Sequence, residues 1–398
     1  MNVTLLGLGG GAPENATVEA WDALESAELV IGAMRLLDTL PEVEGQRRFA
    51  AVRAEEIAAL LSRESAESAC VVMSGDTGFY SGAKGLLPLL GGHDCRVLPG
   101  VSAVQILAAR LGRPWQDWTL RSAHGVDCDP IAAIMRGKPT FFLTGGSHTP
   151  ATICQALTDA GLGEIAVTVG ENLTYPEEQI IHLTAAEVAE RDFAPLSVLL
   201  TEAAPLPDVP AGGLADELFT RGNVPMTKQE VRAAVRSKLA LQRGDTVWDV
   251  GAGTGSVSVE LALTADEGRV YAVERDGEAL ALIEENRRHF GAWNIHVVPG
   301  AAPEALRELP APDAVFIGGS KGNLRALVDA ALEKNPSVRL CMTAIALETL
   351  GAALEVFRDM ETEITQLSVS RAKCAGELHL LLANNPVFLI TAMRRQTT

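Results

Sequence analysis

The C-terminal half of the chain alternates short apolar runs with amphipathic ones. "TVWDV" (246–250), "RVYAVE" (269–274), "NIHVV" (294–298), "DAVFIGG" (313–319) and "VRLCMTA" (338–344) read as strands. Helical stretches such as "DGEALALIEENRRHF" (276–290) and "KGNLRALVDAALEKN" (321–335) lie between them. This βαβ rhythm predicts a parallel, doubly wound sheet. Then come "EITQLSVSRA", "LHLLLAN" and "PVFLITA", with no good helix between them. The simplest expectation is a hairpin that closes the sheet edge, with one antiparallel strand.

The N-terminal half alternates too. Its strands include "VTLLGLG", "AELVIG", "ACVVMSGD", "CRVLPG", "PTFFLTG" and "EIAVTVGENL", with helices such as "ATVEAWDALESA" between them. "LGRPWQDW" (111–118) is a possible hinge between two α/β lobes. The clearest break is "AAPLPDVPAGG" (203–213), whose three prolines and two glycines suit neither helix nor central strand. After it, "KQEVRAAVRSKLAL" repeats Val231, Val235 and Leu239 at helical spacing. Domains are therefore expected at 1–205 and 214–398, joined by a Pro/Gly linker at 206–213. The halves are not a repeat, because their glycine loops and motif order differ.

A length of 398 residues is too great for one ordinary core, which agrees with two domains. No apolar run reaches the roughly 18–20 residues of a membrane span, and "MNVTLLGLG" reads as a strand and not as a signal peptide. Six scattered cysteines without a C-x-x-C pair make zinc or a disulfide framework unexpected and fit a reducing cytoplasm. A net charge of -18 argues against nucleic acid or an anionic membrane as partner. Residues 1–212 hold 13 Lys and Arg against 27 Asp and Glu, whereas residues 213–398 hold 20 against 24. The second half is the less hostile to an anionic ligand.

In "DVGAGTGS" a strand runs into a glycine turn and then a helix. Gly251, Gly253 and Gly255 make G-x-G-x-G, and Ser256 stands where a dinucleotide fingerprint would place its third glycine. Asp249 ends the first strand, and Glu274 ends the second, where an acid can take both hydroxyls of a ribose. An acid beside the turn suits a cationic cofactor with adenosine and no pyrophosphate, and points to S-adenosylmethionine. An NAD-dependent oxidoreductase would need that third glycine and a nicotinamide-side acid/base pair, which is not found. A scaffold protein would not need acids at both strand ends.

Residues 213–398 resemble the decarboxylating methyltransferases of cobalamin (corrin) biosynthesis. The matching stretches are "VPMTKQEVRA", "DVGAGTG", "YAVERD", "PEAL", "IGGS", "TAIALET", "SRAKCAGELHLL" and "NNPVFLI". The resemblance implies a class I (Rossmann-like) fold, with Thr227, Asp249, Gly251, Gly253, Thr254, Gly255, Glu274, Gly300, Ala301 and Gly318 around S-adenosylmethionine. One departure is Gly300-Ala301-Ala302, where the family has Gly-Asp-Ala and the carboxylate contacts adenine. About residues 3–201 resemble the tetrapyrrole (corrin/porphyrin) methylases, in their carbon-5-methylating branch, through "GLGGGAP", "SGDTGFYSG", "LPGVSAVQ", "SAHG" and "GENLTYPEEQI". That resemblance implies a two-lobed fold. Its first loop, with Gly7 and Gly9, faces the tetrapyrrole. Gly75, Asp76, Thr77 and Gly78 border a second S-adenosylmethionine, with Ser102 and His124 nearby. Gly10 and Thr77 stand where that family has proline.

The α/β chain is thus expected to fuse two methyltransferase folds, with one cofactor each and a precorrin tetrapyrrole as substrate. No metal need come from the protein, because the conjugated macrocycle can itself take the electrons left by decarboxylation. Lys228, Arg232, Lys321, Arg371 and Lys373 are the expected carboxylate binders, with Arg371 also a catalytic candidate. For a general base, His124 and His379 stay open, since imidazole titrates near neutrality. Glu171 in "GENL" could orient substrate or cap a helix. A cobalt-containing substrate remains a rival to a metal-free one, and a homo-oligomer is expected.

Overall fold

The structure, a computed structural model, describes the chain except residues 127, 208, 209, 211, 320, 321 and 396–398. It divides into two compact units. Met1–Cys128, Lys138–Thr158 and Leu162–Ala203 form the first, and Asp129–Gly137, Asp159–Gly161 and Ala204–Thr398 form the second. The linker expected at 206–213 lies partly outside the described residues.

The first unit opens with β1 (Asn2–Gly7), β2 (Leu29–Gly32), β3 (Arg47–Ala50), β4 (Ser68–Met73) and β5 (Asp94–Leu98), paired in parallel in the order β3-β2-β4-β1-β5. Successive residues serve opposite cores. Val3, Leu5 and Val71 pack on one face, and Leu6, Leu8 and Val72 on the other. A parallel sheet buried on both faces needs apolar side chains at every position. That is why β1 and β4 read as continuous hydrophobic runs.

A second sheet holds β6 (Thr119–Ser122), β7 (Thr140–Leu143), β8 (Ala166–Glu171), β9 (Gln179–Thr184) and β10 (Ser197–Thr201), in the order β6-β7-β10-β8-β9. Only β6 and β7 pair in parallel. The stretch 111–118 joins the two sheets, after Gly112 ends the helix Ala103–Leu111 in the left-handed region at φ 62°. Strands β3, β6 and β9 escaped the apolar pattern because most of their residues are partly or fully exposed.

The second unit contains β11 (Thr246–Val250), β12 (Arg269–Glu274), β13 (Ile295–Pro299), β14 (Ala314–Ile317), β15 (Arg339–Ala344), β16 (Met360–Leu367), β17 (Ser370–Ala375), β18 (Leu378–Ala383) and β19 (Val387–Arg394). Seven of them form one sheet, ordered β13-β12-β11-β14-β15-β19-β16, with β19 antiparallel to both neighbours. The expected hairpin is corrected in place: β17 and β18 pair only with each other, and β19 takes the slot beside β15. Leu389 and Ile390 of β19 alternate between the two cores. The leucines of β18 fall on both faces of a hairpin that neither core covers, and are exposed. Among the described residues no helix is long and apolar enough to cross a membrane.

Candidate functional site

In the second unit a cavity of about 840 Å3 opens at the C-terminal ends of β11, β12, β13, β14 and β15. Open parallel sheets bind ligands at that edge. After β11, the N–H of Gly251 donates to the Val273 carbonyl (2.9 Å). The chain then turns through Gly251, Gly253 and Gly255, with φ of 74°, 56° and 74°. These are left-handed values that only glycine adopts freely. A Cβ on Gly251 would lie 3.2 Å from the backbone of Gly319, so the two turns close on each other.

Glu274 holds this turn. Its Oε2 accepts the Gly253 N–H (3.0 Å), and its Oε1 accepts those of Arg275 (2.8 Å) and Asp276 (3.1 Å). The cavity is lined by Thr227, Lys228, Gly251, Gly253, Thr254, Glu274, Gly300, Ala301 and Gly318, all expected from the sequence. Thr254 brings a buried hydroxyl with no protein partner. A glycine cradle, a half-buried carboxylate and this orphaned hydroxyl fit the ribose and amino-acid portions of S-adenosylmethionine.

Six expected residues sit elsewhere. Asp249 is fully buried and does not line the cavity. Its Oδ2 accepts the Ser258 hydroxyl (2.5 Å), and its Oδ1 has no partner. Burial, opposed by the Ser258 hydrogen bond and reinforced by nearby Glu274, pushes its carboxyl up to about 7. Gly255 also misses the cavity. It caps the helix Ser256–Thr264, and a Cβ there would lie 3.1 Å from Ile283.

Arg232, expected on substrate, is a core residue at 1% exposure. Its guanidinium donates to Glu260 (2.9 Å), Asp216 (2.8 Å), the Thr227 carbonyl (2.6 Å) and the Leu214 carbonyl, over the Phe219 ring. Four of its five N–H donors are thus taken by the protein's own core. Arg371 pairs with Glu230 (3.0 and 2.8 Å) and Asp216 (3.2 Å), outside the cavity lining. Lys373 and His379 lie exposed on the β17–β18 hairpin. Lys321 is outside the described residues.

The sequence reading missed Asn286. Fully buried, it links Thr220 (2.8 Å) to the Thr254 carbonyl of the glycine turn (2.9 Å). A polar residue on the apolar face of the helix Gly277–His289 was the available signal. Asn323, Thr343, Asn384 and Asn385 line the cavity as well.

In the first unit a cavity of about 640 Å3 lies at the C-terminal edge of β1–β5 and also touches the second sheet. Gly75, Asp76, Ser102 and His124 line it. Asp76 fixes its own turn: Oδ2 accepts the Gly78 N–H (2.8 Å) and Oδ1 that of Gly100 (3.0 Å). Thr77 and Gly78 do not face the cavity. The Thr77 hydroxyl turns into the sheet and donates to the Leu98 carbonyl (3.0 Å).

Gly7 and Gly9 do not face it either. Gly9 and Gly75 exchange backbone hydrogen bonds (3.2 and 2.6 Å), and a Cβ on Gly7 would lie 2.9 Å from the Gly100 Cα. Gly10 is the loop residue that reaches the lining. Glu171 is also displaced from its expected role: it accepts the Ala194 N–H (2.5 Å) and anchors that loop outside the lining. His124 keeps its place, with Nδ1 3.3 Å from the Thr144 carbonyl.

Residues 217–394 match the family described as "Precorrin methyltransferase domain", and residues 2–189 match "Tetrapyrrole (Corrin/Porphyrin) Methylases". A probable cobalt-precorrin-6B C(15)-methyltransferase (decarboxylating) of Pyrobaculum calidifontis is 46% identical over 45% of this chain and 95% of its own length. A precorrin-6Y C(5,15)-methyltransferase (decarboxylating) of Sinorhizobium is 29% identical over 94% of this chain and 92% of its own. A solved precorrin-6Y C5,15-methyltransferase structure from Geobacter metallireducens is 38% identical, covers 47% of this chain and 100% of that one, and has a TM-score of 0.45. Folds and family matches together define a decarboxylating S-adenosylmethionine-dependent C-methyltransferase. More narrowly, the chain belongs to the precorrin-6Y C5,15-methyltransferase (decarboxylating) family, two-domain fusions of a tetrapyrrole methylase domain with a precorrin methyltransferase domain that serve cobalamin biosynthesis.

Proposed function

We propose that the chain methylates metal-free precorrin-6Y at carbons 5 and 15 and removes carbon dioxide from its ring-C acetate, giving precorrin-8X in the aerobic, cytoplasmic route to cobalamin. The observation that carries this reading is the pair of separate cavities, one per unit, each beside a glycine turn and a carboxylate. One S-adenosylmethionine then binds in each. The choice of metal-free substrate rests on the relative that spans 94% of this chain, whose name carries no cobalt.

When bound, S-adenosylmethionine supplies an electrophilic methyl on a sulfonium, which departs as a thioether once carbon takes the methyl. The protein's own part is mostly positioning, since holding donor and acceptor in line supplies much of the rate. Glu274 fixes the glycine turn and offers its oxygens to a ribose diol, and Thr254 and Thr227 offer hydroxyls. Lys228, half-buried on the rim, holds a macrocycle carboxylate, and the ring receives the electron pair left by carbon dioxide. In the first unit His124 serves as proton acceptor: with Nδ1–H donated to Thr144, Nε2 keeps its lone pair. We read the β17–β18 hairpin as a contact between copies in a homo-oligomer. Its Leu378, Leu380, Leu381 and Leu382 are 51–73% exposed.

The test incubates the purified protein with S-adenosylmethionine and metal-free precorrin-6Y. The expected product mass shows two added methyl groups and one lost carbon dioxide. Turnover of only the cobalt-containing ring would overturn the metal-free assignment.

A further inference from the structure

The first half carries a strong negative excess, yet its cavity is lined by two arginines, Arg35 and Arg53. Neither has a carboxylate partner among the described residues, and the one side-chain hydrogen bond recorded for them runs from Arg35 Nη1 to the Tyr175 hydroxyl (3.2 Å). Several other arginines of this unit do have one: Arg47 pairs with Glu64, Arg110 with Glu178 and Arg113 with Glu202. A guanidinium at a cavity rim without a carboxylate partner keeps most of its forked donors for a ligand.

Register places the two side by side. β2 and β3 are parallel neighbours, with Gly32 opposite Ala50. Arg35 and Arg53 each follow their member of that pair by three residues, at the same C-terminal edge. Along that edge β3, β2, β4, β1 and β5 deliver Arg53, Arg35, Asp76, Gly10 and Ser102 in turn. One end of the cavity is therefore cationic, and Asp76 stands toward the other. Glu55 also lines the arginine end and offsets one of the two charges.

Arg35 is held in place from behind. Tyr175 belongs to "GENLTYPEEQI", where Asn172 and Thr174 take left-handed φ of 46° and 76°. Glu178 accepts the Thr174 N–H (2.6 Å) and is itself gripped by Arg110 (2.6 Å). A cavity-facing phenol on so constrained a turn is pre-organised to orient the guanidinium it touches.

We propose that Arg35 and Arg53 form a carboxylate-binding end of the first unit's cavity, which seats acidic side chains of the macrocycle, with Tyr175 as the positioning residue for Arg35. This rests on the reading of the first unit as a tetrapyrrole carbon-5 methylase. The acid end around Gly75 and Asp76 is left for the cationic cofactor.

The full-length protein carries its own control, because carbon-15 methylation and carbon dioxide release belong to the second unit. Arg35→Gln and Arg53→Gln are each expected to raise KM for carbon-5 methylation by about tenfold or more, the scale of one charge-assisted hydrogen bond. Cofactor Kd and carbon dioxide release should stay within about twofold of wild type. Arg35→Lys should recover part of the loss, and Tyr175→Phe should raise KM by less than Arg35→Gln. Titration with uroporphyrin III, a stable polycarboxylate tetrapyrrole, reads binding without turnover and should show the same ranking.

Unchanged KM and unchanged uroporphyrin affinity in the double variant would overturn the proposal. So would an equal weakening of cofactor and macrocycle. Wild-type protein that adds no methyl at carbon 5 but binds uroporphyrin through Arg35 and Arg53 would sink the methylase reading while leaving the anion site standing.

Discussion

In the second unit a single sheet supplies most of the cavity rim: five consecutive parallel strands end there, and each contributes its next few residues. In the first unit the lining is drawn from two sheets and from residues as distant as Gly10 and Val198. Their charges are arranged differently as well. The second unit buries an ion network, Asp216–Arg232–Glu260, whereas the first leaves Arg35 and Arg53 without carboxylate partners at its cavity, among the described residues. A site collected from one sheet edge can be stiffened by charges placed behind it. In the first unit the arginines stand at the cavity itself, where a ligand can join the two sheets.

The largest expected effect comes from breaking the buried network. Arg232→Ala leaves Glu260 as an uncompensated buried charge and Asp216 with Arg371 as its remaining cationic partner, a loss of about 3–5 kcal/mol. Differential scanning calorimetry should show the second unit's transition falling and the first unit's unmoved. Had Arg232 been a substrate ligand, KM would rise and the transition would stay.

Asp249 comes next. Its raised carboxyl binds a proton more tightly in the folded than in the unfolded chain. Stability is therefore fully present below the ordinary value of 3.8 and is lost as pH rises toward about 7, by roughly 4 kcal/mol in all. Urea unfolding of the second unit from about pH 4 to about pH 8 should show this decline, and Asp249→Asn should flatten it. A flat wild-type profile would mean that Asp249 has an ionic partner after all.

Glu274→Ala should weaken cofactor binding by on the order of 2–4 kcal/mol by calorimetry, since charge-assisted hydrogen bonds to the ribose and the anchor of the glycine turn go together. Unchanged affinity would remove Glu274 from the site.

The smallest effect belongs to Arg371 and Glu230, whose side chains are 39% and 41% exposed. The Arg371 hydrogen bond holds the Glu230 carboxyl below the usual range, but solvent screens the pair to about 1 kcal/mol or less. Glu230→Gln should lower the second unit's melting temperature by a small amount, Arg371→Gln by at least as much because it also loses Asp216, and the double variant by no more than Arg371→Gln. Additive losses would show that the two do not act as a pair.

The same contrast explains what the sequence could and could not reveal. The βαβ rhythm exposed the second unit's parallel strands, because buried strands announce themselves as apolar runs. Its glycine turn was legible because G-x-G-x-G follows a strand and opens a helix. Arg232 was misjudged because a periodic helix shows which face is buried, yet a charge on that face looks like surface until Asp216 and Glu260, distant in sequence, meet it. Thr77 and Gly9 sit within motifs that do border a cavity. Residues inside one turn point in different directions, and a motif does not say which of them face the ligand. Arg35 and Arg53 were not singled out, because their adjacency depends on the β2–β3 register, and the half-exposed β3 gave no pattern to read.

Gly7, Gly75 and Gly100, at the ends of neighbouring strands β1, β4 and β5, bear on how such a protein can diverge. A Cβ on Gly7 would collide with the Gly75 carbonyl, and one on Gly100 would lie 2.6 Å from the Gly7 oxygen. Each obstacle is main chain and not side chain. A compensating substitution at a partner position therefore cannot make room, because no side chain there can be trimmed. Gly7 and Gly100 are locked together: a descendant could change either only by parting the ends of β1, β4 and β5, and would displace Gly75 and Asp76 from the cavity lining in the same step.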